Sequence, residues 1–222
     1  MSTTRTAPSS IQPELAATAQ HLATLLPASA SQTIDAGIAA VHAAGLAQRS
    51  LRPGQAAPNF TLPDATGQPV TLTALLATGP VVLVFYRGNW CPYCNVQLRA
   101  YNQTRAEFEA LGATLVAVSP QTPDLTTLTA EEKDLQFPVV SDVGNAVARQ
   151  YGLAYQVGDA VYHTLHGVGI DLALFNGDDS GELPLTGTFV IARDGTIAWA
   201  ATEANFKQRP DPTVLLDALA QL

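Results

Sequence analysis

The sequence predicts an α/β fold with a mixed central sheet, parallel first and antiparallel last, over residues 51–222, preceded by an N-terminal helical extension over residues 1–50. Three observations carry this. The continuous apolar run at residues 81–86 reads as a central strand buried on both faces. From there to Gly152, strand-like runs alternate with segments of helical spacing, the order that builds βαβ units with a parallel centre. Near the end, Arg193-Asp194-Gly195 lies between two apolar runs, and Asp-Gly in that setting is a hairpin signal.

In the extension, Leu15, Ala19, Leu22 and Leu26, and then Ile34, Ile38 and Val41, recur at helical spacing. Two short amphipathic helices result, separated at residues 27–32. The segment is alanine-rich and carries no reactive side chain, so it is expected to pack on the main domain or a second subunit, and to be dispensable for chemistry. A homodimer is one way to cover its apolar faces.

The main domain opens with strands at 59–62 and 70–72 around a turn at 64–67, followed by the 81–86 strand. After Cys91-Pro92-Tyr93-Cys94, residues Leu98, Tyr101, Phe108 and Leu111 keep helical spacing until Gly112 closes the helix. A strand at 114–119, a helical stretch at 130–135, a strand at 137–140 and a helix at 145–151 follow. The hairpin strands fall at 188–192 and 196–201, and Asp211 caps a last helix with Pro212 in its first turn.

With 222 residues, 47% apolar and 14% charged, the chain is sized for one well-buried core plus an extension. Its net charge of -8 argues against nucleic-acid binding, which needs clustered Lys and Arg. No apolar run is long enough to span a membrane, and residues 1–27 lack an unbroken signal-peptide core, so a cytoplasmic protein is expected. Only two cysteines are present, which excludes a disulfide framework.

Those two, Cys91 and Cys94, flank Pro92 at a strand-to-helix junction. A thiolate is the nucleophile toward disulfides and peroxides, and the positive end of a helix lowers a thiol's pKa. Cys94, one turn on, lies within reach of Cys91, so the pair can cycle between dithiol and disulfide without large movement. A structural disulfide over so short a loop removes little chain entropy and does not persist in a reducing cytosol. Zinc needs two further ligands, and His163 and His166 are the candidates, at a spacing short of the usual one. Redox chemistry is therefore expected, with no metal and no cofactor. Trp90, beside the pair, is a candidate for shaping a docking surface.

The segment Trp90-Cys91-Pro92-Tyr93-Cys94 resembles the active-site segment of thioredoxins and glutaredoxins. A wider stretch, from Gly54-Gln55-Ala56-Ala57-Pro58-Asn59-Phe60 through Phe85-Tyr86-Arg87-Gly88-Asn89-Trp90 to Thr188-Phe189-Val190-Ile191, resembles the peroxiredoxins, the alkyl hydroperoxide reductase and thiol-specific antioxidant family. It is most similar to a subgroup that carries Cys-x-x-Cys. The resemblance implies a thioredoxin fold and a thiol-dependent peroxidase that acts on hydrogen peroxide or alkyl hydroperoxides. Catalysis then runs through Cys91 and Cys94, with an external dithiol such as thioredoxin or glutathione as reductant. The alternative is a thioredoxin-like protein disulfide reductase.

Laid on this chain, the peroxiredoxin Pro-x-x-x-Thr-x-x-Cys motif puts Cys94 on the cysteine, Arg87 on the proline and Cys91 on the threonine. The family's Arg falls near Thr186, where this chain has none, and Arg87 is a candidate replacement. The thioredoxin alignment makes Cys91 the attacking sulfur and the peroxiredoxin alignment makes it Cys94. Exposure and proximity to the helix's positive end favour Cys91.

Overall fold

A computed structural model describes residues 10–222. In chain order it contains α1 (Gln12–Leu25), α2 (Ala28–Ala43), β1 (Thr61–Pro63), β2 (Pro69–Thr71), α3 (Leu72–Thr78), β3 (Val81–Phe85), α4 (Pro92–Gln103), α5 (Arg105–Ala110), β4 (Thr114–Ser119) and α6 (Pro123–Glu132). There follow β5 (Val139–Ser141), α7 (Ala146–Gln150), β6 (Ala154–Gln156), α8 (Asp159–Gly167), α9 (Leu172–Asn176), β7 (Glu182–Pro184), β8 (Thr186–Ile191), β9 (Ile197–Glu203) and α10 (Pro212–Leu219). Among the described residues no helix is long and apolar enough to cross a membrane.

The central sheet has the order β5-β4-β3-β8-β9, with β3 parallel to β4 and antiparallel to β8. This is the mixed sheet expected, parallel in its first half and closed by the Asp194-Gly195 hairpin. Every residue of β3 is fully buried because both faces are covered. Val82 and Val84 point into a core beneath α1, α4 and α10, whereas Val81, Leu83 and Phe85 point into the opposite core with Tyr151 and Phe189. The period-two alternation thus serves two cores.

Several boundaries differ from the sequence expectation. Only Leu26 and Pro27 separate α1 from α2, since proline suits the entry of a helix and Ala28 onward continues it. The long helix after Cys94 breaks at Thr104, whose hydroxyl turns back to bond the Ala100 carbonyl. The helix expected at 130–135 instead runs over α6, with Pro123 at its first turn. Asp211 stands at the start of α10 without capping it: its carboxylate accepts from the Ile11 N–H at 2.7 Å and from Ser10, and so tethers the start of α1.

The N-terminal helices lie on the main domain. Ile11 and Leu15 enter the core with α4, where Glu14 pairs with Arg99. α2 crosses α8 closely at Gly37, where a Cβ would lie 2.5 Å from Val161 Cγ2.

Candidate active site

The loop from Tyr86 to Cys91 leaves β3 and delivers the chain to the start of α4. Gly88 makes this possible. Its φ of +147° is closed to other residues, and a Cβ there would lie 2.4 Å from Trp90 Nε1. The loop is pinned by the Asn89 N–H to Gln121 Oε1 (2.8 Å) and by Asn95 Nδ2 to the Asn89 carbonyl (2.8 Å). Cys91 occupies the N-cap position of α4 and Pro92 its first turn, so Cys94 lies within that turn as the spacing predicted.

Both thiols are free, and exposure does not separate them: Cys91 is 1% exposed and Cys94 0%. What separates them is Arg209. Its Nη2 donates to Cys94 Sγ at 3.2 Å, its Nε to Gln97 Oε1 at 2.7 Å, and its Nη1 to the carbonyls of Phe206 and Gln208. Gln97 in turn donates to Thr188 Oγ1 on the adjacent strand β8. The guanidinium is thus held on all sides, buried, and aimed at one sulfur.

The electrostatics follow. Burial pushes the Cys94 thiol up, but the hydrogen bond from Cys91, the Arg209 charge, the Arg87 N–H and the Arg87 charge outweigh it and bring the pKa to about 5. The Cys91 thiol is raised well above its ordinary value, first by burial and then by donating to Cys94 and facing its charge, with the Arg87 and Arg209 charges opposing. The Arg209 contact and these opposed directions favour the charge on Cys94 and the proton on Cys91. This reverses the expectation that Cys91, nearer the helix end, holds the charge.

Arg87 is the second cation. It is buried, with its guanidinium 3.9 Å from the Phe206 ring centroid and 4.8 Å from that of Trp90, and its Nε has no hydrogen-bond partner among the described residues. Its charge opposes the rise at Cys91 and adds to the lowering at Cys94, while Arg209 makes the direct contact. Sequence reasoning missed Arg209, Gln97 and Phe206. Arg209 lies 115 positions from Cys94 in a loop with no local motif.

Cys91 lines a cavity of about 660 Å³ whose walls come from α1, α2, the α8–α9 connection, Trp90 and Phe206. Trp90 is half-buried in this wall and packs on Phe175. The N-terminal helices, expected to pack on the main domain or a second subunit, pack on the main domain and line part of this cavity. His163 and His166 are exposed on α8, and among the described residues no group of three or more His, Cys, Asp or Glu is placed to hold a metal.

A thioredoxin-type α/β sheet with a buried, charge-polarised Cys-x-x-Cys at a helix start defines a thiol oxidoreductase. The AhpC/TSA family profile matches residues 53–200, and the chain belongs to that family. A curated relative, the chloroplastic peroxiredoxin Q of Populus jackii, is 33% identical over 100 residues, 45% of this chain and 46% of that one. The chloroplastic peroxiredoxin Q of Arabidopsis thaliana is 28% identical over 153 residues, 69% of this chain and 60% of that one, so the chain spans about half the length of these relatives. Among solved structures, peroxidoxin BcpB from Mycobacterium tuberculosis aligns with a TM-score of 0.61 at 24% identity, covering 78% of this chain and 98% of that one. Xanthomonas campestris peroxiredoxin Q aligns at 0.56 and 21% identity, over 73% and 90% of the two chains, and the two alignments establish the shared fold.

Proposed function

We propose that the chain is a thiol-dependent peroxidase in which Cys94 attacks hydrogen peroxide or an organic hydroperoxide and Cys91 resolves the product. The observation that carries this is the opposite polarisation of two adjacent thiols, with Arg209 bonded to Cys94 alone. The Cys94 thiolate takes the distal OH of the hydroperoxide, the O–O bond breaks, and the leaving alkoxide takes the Cys91 proton. Cys94 is then a neutral sulfenic acid, and the charge that held the Cys91 thiol up is gone while Arg87 and Arg209 remain. Cys91, now a thiolate, attacks the Cys94 sulfur and releases hydroxide, which a solvent proton converts to water, leaving a Cys91–Cys94 disulfide.

An external dithiol of the thioredoxin type, or glutathione, completes the cycle in a reducing compartment such as the cytoplasm. Attack at Cys91, the sulfur that lines the cavity, expels Cys94, the better leaving group because its thiolate is the more stable. Disulfide reduction in other proteins fits less well, since the sulfur polarised as the nucleophile is Cys94, which is fully buried and does not line the cavity.

The test is a rate comparison on the reduced protein with hydrogen peroxide, cumene hydroperoxide and a protein disulfide as oxidants. Faster reaction with a peroxide, forming one intramolecular disulfide per peroxide consumed, supports the reading. Preference for the protein disulfide refutes it.

A further inference from the structure

Arg87 and Arg209 bring two guanidinium charges to the dithiol, and both are buried, at 3% and 4% exposure. At most one thiolate balances them. Arg209 is satisfied by Cys94, Gln97 and two carbonyls. Arg87 is not: its Nε has no hydrogen-bond partner, and the ion pairs among the described residues engage Arg99, Arg105, Arg149 and Lys207 instead. The flanking Trp90 and Phe206 rings steady the guanidinium but supply no anion. A buried cation without a counter-ion is costly to keep, and Arg87 lines the cavity of about 660 Å³ above Cys91. Much of that wall is apolar, with Leu22 and Leu26 of α1, Ile34 of α2, Trp90, Ile170 and Phe206. Its other charges, Asp35 and Lys207, pair with each other at 2.5 Å. An apolar cavity of this size with one unmatched polar group is the form of a site for a small organic molecule.

We propose that this cavity is a site for an amphipathic organic anion, a medium-chain aliphatic carboxylate, whose carboxylate pairs with Arg87 and whose chain lies along α1, α2 and Phe206. The ligand is not a substrate: it carries no group that the dithiol oxidises or reduces, and Cys94 is not part of the wall. The planar guanidinium matches a carboxylate in both shape and charge, whereas a neutral or cationic head leaves Arg87 uncompensated. Occupancy is linked to the redox state of the pair. In the dithiol form the Cys94 thiolate offsets part of the positive charge, but in the Cys91–Cys94 disulfide neither sulfur is charged and both guanidiniums lack an anion. The carboxylate therefore binds the disulfide form more tightly and, by reciprocity, stabilises the disulfide against reduction. It also covers Cys91, the sulfur that lines the cavity. This site goes beyond the peroxidase reading and does not depend on which oxidant forms the disulfide.

Calorimetry on the full chain, as the dithiol and as the disulfide prepared with diamide, reads the site without any peroxide. The probes are hexanoate, octanoate and decanoate at about pH 7.5, where a carboxyl group is ionised. One equivalent should bind, with affinity rising by up to about fourfold per methylene buried. Octanol and octylamine should bind at least about tenfold more weakly than octanoate, as the loss of a charge-assisted hydrogen bond implies. Octanoate should bind the disulfide about tenfold more tightly than the dithiol, which at saturation lowers the reduction potential of the pair by about 30 mV, read by equilibration against dithiothreitol. Arg87→Met should bring octanoate down to the level of octanol, and Leu22→Trp, which reduces the apolar space, should weaken both alike. No binding, equal affinity for octanoate and octanol, octanoate affinity unchanged in a folded Arg87→Met protein, or equal affinity for the two redox forms overturns the inference and leaves the peroxidase reading standing. Failure to consume any peroxide defeats that reading without touching the carboxylate site.

Discussion

Replacing Arg209 with methionine removes the cation on Cys94 while keeping an apolar stem of similar length. The guanidinium donates to Sγ at 3.2 Å in a buried setting. A hydrogen bond with charged partners contributes ~1.5–3 kcal/mol. At about 1.4 kcal/mol per pH unit, the Cys94 inflection should move from about 5 to roughly 6–7. The sign follows from a lowered acid pKa: the thiolate predominates above it and is lost as pH falls through it. At pH 5.5 the thiolate fraction, and with it the second-order rate constant for peroxide, should fall roughly threefold to twenty-five-fold, and at pH 8.5 it should barely change. Stopped-flow peroxide reduction and thiolate absorbance against pH both read the inflection. Arg209→Lys, which keeps the charge without the fork, should fall between the two. An inflection in a folded Arg209→Met protein identical to that of the wild type refutes the assignment of Arg209 as the group that holds the Cys94 thiolate.

Mild oxidation with one equivalent of peroxide should lower the intact mass of the chain by two hydrogens as Cys91 and Cys94 join, and native mass spectrometry should show no metal lost. Gly88→Ala places a Cβ against Trp90 on a backbone closed to it, and should cost about 1–3 kcal/mol, read by thermal denaturation, with a shift in Trp90 fluorescence. Asp211→Ala releases the Ile11 N–H and should cost about 1 kcal/mol, as a lost helix cap does. Hydrogen exchange across α1 should then quicken while β3 keeps its protection.

The parts of the fold that were legible in the sequence are those whose signals are local. β3 announced itself as an unbroken apolar run, β4 was placed at its observed bounds, and the Asp194-Gly195 hairpin had its turn residues in place. β6, α8, α9 and β7 were not assigned. β6 and β7 have three residues each and are defined by pairing across the intervening α8 and α9, which no local pattern reports. The same division runs through the site. Cys91 and Cys94 were evident from spacing, but the charge on each depends on Arg209, Gln97 and Thr188, brought together by tertiary packing. Helix position alone favoured Cys91 as the thiolate. Burial of both sulfurs removed the expected difference in exposure, and a cation more than a hundred residues away decided the rest.

The polarity of the pair is most directly tested by a single turnover of the two cysteine variants with peroxide, read by mass spectrometry and stopped-flow fluorescence. Cys91→Ser should consume one equivalent rapidly and stall with one added oxygen on Cys94, since the thiolate and its arginine are intact and the resolving thiol is gone. Cys94→Ser should be inert on the same timescale, its remaining thiol still buried and without the Arg209 contact. Rapid reaction in Cys94→Ser with a sluggish Cys91→Ser would make Cys91 the attacking sulfur and contradict the account.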